Sequence, residues 1–460
     1  MEADVSLLDS CKNNQTHDAL KSFKNKLLCN IDEIDKEGCT PLIWACKNTM
    51  ACVVAKILKY PTRCNMNSID SIGSTALIWA CANGASNIAS DILKYPTMCE
   101  LDHVDATGNT ALIWACSIKG MSHVALQILK HPSICNLDHV SATGCTALTQ
   151  ACSSRMTCVA LEILKHGPNK CKLDRLDNRN NTALIWACSK NMTYVALEIL
   201  KYSDKCGLSQ INNDGNTALV VACLNGMTYV ALEILKYSDK CQLDHINSNN
   251  ETALICACFS GMSGVAMKIL KYCNKYRLSQ ADMSGNTALT LACSNGMEQV
   301  AMEILKYPDK CGLDQVTNKQ DTALTWACSN SMERVVLEIL KYHNQCCIDN
   351  INSDSNTALL LACYRKMDRA VHLLMKYSPY HILCHVNKKG DTALAKIVDN
   401  NPNIDVTAGN PKHMYDNDEC HIWNDCDATP STEDVVKEFL HMIDTRIKTH
   451  EMSVNLKKRV

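Results

Sequence analysis

Apolar and polar positions along the chain follow a pattern that repeats about every 35 residues. Each period holds a short apolar box that begins with threonine, and an amphipathic stripe follows about ten residues later. In the fifth copy the stripe consists of Met192, Val195, Ala196, Ile199 and Leu200, which have the i, i+3, i+4, i+7, i+8 spacing of one helix face. Each period therefore predicts two helices joined by a turn, followed by a polar loop.

The apolar box reads Thr-Ala-Leu, once Thr-Pro-Leu, and its eleven copies cover most of the chain. Threonine is a favoured N-cap residue and proline suits the first helical position, as at Pro41, so the first helix of each copy is expected to begin directly after the threonine. In the fifth copy this predicts a helix from Ala183 to about Ser189. The threonines are Thr40, Thr75, Thr110, Thr146, Thr182, Thr217, Thr252, Thr287, Thr322, Thr357 and Thr392.

Copies of one short unit predict an all-α repeat solenoid rather than separate globular domains. We expect about 12 repeats including the caps. Residues 1–37 lack the box and are predicted to form an N-terminal capping repeat, and residues 38–391 contain ten copies of about 35 residues. Residues 392–460 are predicted to form an irregular C-terminal capping repeat with a loop insertion at 400–430.

The residue two positions before each N-cap threonine is usually glycine, which favours a positive φ angle. Asn180 and Asn250 replace it in two copies, and asparagine is the next-best residue for that conformation. Gln320 and Ser355 depart from the rule. We therefore expect positive φ to be preferred but not obligatory at this position.

These residues resemble an ankyrin repeat. Thr40-Pro41-Leu42-Ile43-Trp44-Ala45 matches the family's Thr-Pro-Leu-His-x-Ala signature except at the histidine, although the period here is longer than the usual 33 residues. The resemblance implies helix-turn-helix units with β-hairpin-like loops, and a contact surface made of the hairpin tips and the concave helix face. The asparagine- and isoleucine-rich copies are similar to the ankyrin arrays of giant DNA viruses.

Cysteine is abundant, with 30 residues, and most of these occupy two columns of the repeat. Equivalent helices of neighbouring repeats lie roughly 8–10 Å apart, which exceeds the Cα separation of about 7 Å that a disulfide allows. We therefore expect buried free thiols and a reducing, intracellular location, namely the cytoplasm. If the protein is viral, this would be the cytoplasm of the host cell. Cys420 and Cys426 with His413 offer an alternative zinc site, but their spacing is unusual, so we expect no metal and no cofactor.

The charge is nearly balanced, with 46 basic and 48 acidic residues, which excludes a strongly basic nucleic-acid binder. We expect no membrane span and no secretory signal, because the chain has no apolar run of about 18 residues and no basic-then-apolar N-terminus. A lysine that ends the second helix in ten copies complements the negative helix terminus; an anionic surface is the alternative ligand of this column. No catalytic constellation stands out, so we predict that the protein is no enzyme, and we expect a monomer.

The candidate contact residues vary from copy to copy at two columns. Five of the six tryptophans lie four residues after the box threonine, where they are candidates for partner binding, and packing between repeats is an equal alternative. Polar loop residues, several of them histidine, form the second column. We predict a non-enzymatic protein-interaction scaffold; the alternative is an adaptor that recruits a substrate to a larger complex, such as a ubiquitin ligase, through residues 431–450. The predicted partner-binding residues are Trp44, Trp79, Trp114, Trp186, Trp326, His103, His139 and His245.

Overall fold

A computed structural model describes residues 6–24, 29–272 and 277–400. These residues form 25 α-helices and no β-strand, and none of the helices is long and apolar enough to cross a membrane. The chain divides into two compact units, Met1–Gln242 and Leu243–Val460. The predicted insertion after residue 400 and the predicted helix at 431–450 lie outside the described residues.

The helices of the first unit are α1 Leu7–Lys12, α2 Thr16–Ser22, α3 Pro41–Lys47, α4 Ala51–Ile57, α5 Ala76–Ala82, α6 Ser86–Ile92, α7 Ala111–Ser117, α8 Ser122–Leu129, α9 Ala147–Ser153, α10 Thr157–Leu164, α11 Pro168–Cys171, α12 Ala183–Ser189, α13 Thr193–Leu200, α14 Ala218–Leu224 and α15 Thr228–Ile234. The helices of the second unit are α16 Ala253–Phe259, α17 Ser263–Tyr272, α18 Ala288–Ser294, α19 Glu298–Ile304, α20 Ala323–Ser329, α21 Glu333–Leu340, α22 Ala358–Tyr364, α23 Asp368–Tyr377, α24 Tyr380–Leu383 and α25 Ala393–Asn400.

The first helix of each box-containing copy begins where the sequence predicts it. In α12 the Thr182 hydroxyl accepts a hydrogen bond from the backbone N–H of Ile185 at 3.2 Å, which satisfies one of the free donors of the first turn. The same bond recurs at the box threonines of both units. The two helices predicted for the fifth copy are confirmed by the observed α12, Ala183–Ser189, and α13, Thr193–Leu200.

The core lies between the two helices of each repeat and between neighbouring repeats. In α13 the predicted stripe is buried, and Val195 and Ile199 are wholly shielded from solvent. Within each unit, first helices contact the first helices of adjacent repeats, and second helices contact second helices. Short helices can be stable in this arrangement because each repeat buries its apolar face against its neighbours.

Asparagine side chains cap the first helices across repeats. The Asn83 amide donates to the Cys46 carbonyl at 3.3 Å, and Asn225 donates in the same way to Cys188 at 3.1 Å. The second unit repeats the contact at Asn295 and Asn330. Each bond satisfies a carbonyl that a helix C-terminus leaves without an intrahelical partner.

The position two residues before the box threonine has positive φ in every described copy. Gln320 has φ 60° and Ser355 has φ 59°, close to the 58° of Asn180. The expectation that the left-handed conformation is not obligatory here was therefore wrong. The turn geometry imposes this conformation whichever residue is present, and glycine only lowers its cost. The loops are turns rather than strands, with isolated bridges at Ala281–Thr287 and Ile351–Thr357.

Candidate functional site

The finger loops are defined as the ten residues that precede each box threonine by two to eleven positions, such as 29–38 and 99–108. In the loop 99–108, the nearly buried Asp105 organises the turn. One carboxylate oxygen accepts from the backbone N–H groups of Thr107 and Asn109, both at 2.9 Å. The other oxygen accepts from the Trp114 indole N–H at 2.7 Å. One carboxylate therefore fixes both the loop and the tryptophan of the adjoining helix.

The same aspartate–tryptophan bond occurs in four repeats of the first unit, and it accounts for how the predicted tryptophans are held. In each case the indole edge is used within its own repeat, while the ring remains half-buried. Trp326 is also half-buried, but Thr317 replaces the aspartate of its loop. The other three bonds join Trp44 to Asp35 at 2.9 Å, Trp79 to Asp70 at 2.8 Å and Trp186 to Asp177 at 2.7 Å.

Two lysines that the sequence reasoning missed lie against these rings. The Lys47 ammonium is 4.5 Å from the centroid of Trp44 and 4.8 Å from that of Trp79, so it sits between tryptophans of adjacent repeats. It also pairs with the buried Asp70 carboxylate at 3.3 Å. Lys12, in the preceding repeat of the same unit, lies 5.2 Å from the Trp44 centroid and pairs with Asp35 at 3.2 Å. In the sequence, these contacts are signalled only by aspartate, tryptophan and lysine recurring at fixed distances from the box threonine.

The predicted histidine column links neighbouring finger loops. The Nε2 of His103 donates to the Gly73 carbonyl at 2.8 Å, and that of His139 donates to the Gly108 carbonyl at 2.9 Å. In the second unit Gln280 makes the equivalent bond to Asn250 at 3.2 Å. His245 lies half-buried at the same position of its loop. The structure thus gives His103 and His139 a contact within the array, and their predicted role in partner binding remains a prediction.

Comparison with known proteins identifies the repeat. The family model described as "Ankyrin repeats (3 copies)" matches residues 7–102, 47–132, 112–208, 162–242 and 264–350, which is more than half of the chain. The chain belongs to the ankyrin-repeat family. No curated protein matches it.

Among solved structures, one similar chain comes from "Bd0816 Predatory Endopeptidase from Bdellovibrio bacteriovorus in complex with immunity protein Bd3460". The identity is 22%, the match covers 45% of this ankyrin chain and 100% of that chain, and the TM-score is 0.34. At this level of similarity the match says nothing about the function of the present protein.

Both cysteine columns of the ankyrin repeats are buried, as the sequence predicts. Burial raises the pKa of the Cys81 thiol to about 12 and that of Cys206 to about 12, because a thiolate is poorly solvated between the helices. In the second column the Cys206 thiol points at the Ser203 carbonyl, 3.7 Å away. These thiols are packing groups with little nucleophilic character.

Thiol labelling is expected to separate the buried columns from the exposed cysteines. At pH 8 the folded protein should react with iodoacetamide at Cys52, Cys158 and Cys384, which are exposed, while Cys81 stays unlabelled because it is buried and has a raised pKa. Peptide mapping by mass spectrometry gives the labelled fraction at each site. Labelling in urea provides the control, since it should remove the difference. Equal rates at Cys81 and Cys52 in the folded protein would contradict the assignment.

One group of possible metal ligands occurs among the described residues. Atoms of Asp35, Glu37 and Cys39 lie within 4.8 Å of one another. The Lys12 ammonium pairs with the Asp35 carboxylate at 3.2 Å and with the Glu37 carboxylate at 3.4 Å. A positive charge of the protein itself therefore already compensates the two carboxylates. The alternative zinc ligands Cys420, Cys426 and His413 lie outside the described residues.

Proposed function

We propose that this ankyrin array is a non-enzymatic scaffold that binds a protein partner through its finger loops and the adjoining first helices. The proposal rests on one surface of the first unit, where half-buried tryptophans lie beside finger loops that are hydrogen-bonded to one another. The indole N–H groups of Trp44, Trp79 and Trp114 each donate to an aspartate carboxylate, while part of each ring remains exposed. Rigid aromatic rings held in this way make favourable anchors for a partner, because little side-chain entropy remains to be lost.

Position-specific photo-cross-linking tests the proposal. A p-benzoylphenylalanine in place of Ala106, an exposed loop-tip residue, is expected to capture a partner in an extract of cells that make the protein. The same group in place of Tyr194, which is 77% exposed on a second helix, serves as the matched control and should capture none. No adduct at position 106, or equal adducts at both positions, would contradict binding through the finger loops.

The lysine column gives less support to an anionic ligand. Lys201 pairs with Glu198 at 2.6 Å, and five equivalent lysines pair with an acid three residues earlier. These pairs are exposed and add little stability, but they cancel most of the positive charge of the column. We therefore propose that the partner is a protein rather than a nucleic acid.

The adaptor hypothesis remains as the second candidate and depends on residues 431–450, outside the described structure. Deletion of 429–460 should abolish co-purification with a ubiquitin-ligase subunit and leave the array folded if the adaptor role is right. We also infer a monomer in a reducing cytoplasm, with capping repeats at 1–37 and 392–460. The asparagine- and isoleucine-rich copies support an origin among the arrays of giant DNA viruses, and hence a location in the host cell.

A further inference from the structure

The first three finger loops, 29–38, 64–73 and 99–108, form one continuous edge, which we term the N-terminal finger surface. The backbone N–H of Ser71 donates to the Glu37 carbonyl at 2.7 Å, and that of Ala106 donates to the Ile72 carbonyl at 3.0 Å. The His103–Gly73 bond adds a second link between the same loops. The three tips are therefore held in fixed register before any partner arrives.

Aliphatic side chains project from this surface into solvent. Ile34 is 59% exposed, and its equivalent Ile69 in the next loop is 46% exposed. Ile72, at the tip, is 47% exposed. The next residue, Asp70, is buried and accepts a hydrogen bond from the Trp79 indole at 2.8 Å, so Ile69 is exposed beside a residue that points inward. Exposed isoleucines in two consecutive finger loops indicate a contact surface, because exposing large apolar side chains to water does not stabilise the array itself.

The same surface is strongly acidic. Its three loops contain eight carboxylates and one lysine, a formal charge of −7, although the whole chain carries only −2. Lys12 and Lys47 from the first helices offset Asp35, Glu37 and Asp70. Other carboxylates remain exposed at the rim, namely those of Asp32, Glu100 and Asp102. By contrast, the equivalent loop 171–180 carries three basic and two acidic residues, a formal charge of +1, so the acidic surplus is not a property of every finger loop.

We propose that the N-terminal finger surface binds an extended segment of a partner protein that carries lysine or arginine between aliphatic side chains. The aliphatic groups pack on Ile34, Ile69 and Ile72, and the cations pair with the acidic rim, including Asp32 and Asp102. Repeats spaced about 8–10 Å apart match every third residue of a polyproline II segment, which rises about 3.1 Å per residue. This inference rests on the proposed scaffold function and specifies the chemistry of the partner.

A designed peptide tests this chemistry directly. The probe is a fluorescein-labelled peptide of five Leu-Pro-Lys triplets, and its binding to the full-length chain is followed by fluorescence anisotropy. We expect saturable binding that weakens as salt increases. Two control peptides, Leu-Pro-Glu and Ser-Pro-Lys repeats, should each bind at least about 10-fold more weakly, since each lacks one of the two interactions.

Matched variants locate the site. The double variant Ile34→Ser/Ile69→Ser and the double variant Asp32→Lys/Asp102→Lys should each reduce affinity at least about 10-fold. The second variant should also flatten the salt dependence, because it removes the attraction between charges. The controls are Ile351→Ser and Asp314→Lys at the equivalent loop positions of the second unit, which should stay within about twofold of the unchanged protein.

The outcomes distinguish this inference from the proposed function. Equal binding of the lysine and glutamate peptides, or equal losses in the variants and their controls, would overturn the inference. If Ile34→Ser/Ile69→Ser leaves the partner adduct at position 106 unchanged, the scaffold function stands and the inferred partner chemistry fails. If the peptide binds selectively but position 106 captures no partner, the scaffold function fails while the chemistry of the surface stands. All four variants change exposed side chains and should therefore fold, which thermal unfolding of each variant would check.

Discussion

Replacement of Asp105 by alanine is expected to lower the free energy of unfolding by about 3 kcal/mol. The carboxylate accepts from two backbone N–H groups, from the Thr107 hydroxyl at 2.6 Å and from the Trp114 indole. Its removal leaves these donors without their partner at a site that is nearly buried. Urea denaturation followed by circular dichroism measures the loss, as the shift of the unfolding transition of the repeats around this loop.

The matched control is Asp102→Ala in the same loop. Asp102 is exposed, so its removal should change the free energy of unfolding by no more than about 0.5 kcal/mol. Equal losses of unfolding free energy for Asp105→Ala and Asp102→Ala would show that the hydrogen bonds of Asp105 contribute nothing to stability beyond the effect of its charge.

Acidification should reduce the difference in unfolding free energy between the unchanged protein and the variant Asp105→Ala. Burial by itself raises the pKa of Asp105, but hydrogen bonds from Thr107, Trp114 and Asn109 outweigh it and hold the pKa below its ordinary value. The contribution of this carboxylate is therefore fully present above the unfolded-state pKa and is lost as the pH falls through the lower folded-state value. A stability difference that grows on acidification would contradict this sign.

Replacement of Gly144 by alanine is expected to destabilise the array by about 3 kcal/mol. Gly144 has φ 76°, and a Cβ atom there would lie 2.5 Å from the Leu176 carbonyl oxygen of the next loop. Left-handed strain is therefore added to a collision with backbone that cannot rotate away. Thermal and urea unfolding should both show the loss.

Gly390→Ala separates strain from collision. Gly390 occupies the same position of its loop with φ 83°, and a Cβ there meets no atom within 4 Å. Only the strain remains, so the expected loss is about 1 kcal/mol. If Gly144→Ala and Gly390→Ala destabilise equally, the close approach of successive loops has no energetic consequence.

The helices could be predicted from the sequence because their causes are local and repeated. Thr182 caps α12 through the backbone N–H of Ile185, three residues away, so the start of the helix is written in neighbouring residues. The stripe from Val195 to Leu200 gave the buried face of α13 for the same reason. Eleven copies reinforced each signal, and the family match bears out the repeat.

The site could be predicted only as columns of residues. Trp79 was a candidate contact residue with packing as an equal alternative, and the structure shows an indole pinned by Asp70 yet partly exposed. Lys47 was not singled out, because its partners lie in two different repeats and only the stacking of the repeats brings them together. The positive φ of Gln320 could not be predicted for a related reason, since the turn around this residue, rather than its own preference, imposes the conformation.

The sequence by itself determined the repeat, its helices and the burial of the cysteine columns, since periodicity, capping and apolar spacing act within a few residues. The tertiary structure alone decided which variable residues meet. The Ser71 N–H bonds the Glu37 carbonyl and Lys47 pairs with Asp70 across repeats, so Ile34 and Ile69 occupy equivalent exposed positions of two adjoining loops. Such contacts depend on how one repeat stacks on the next, and this geometry arises from packing between residues far apart in the chain.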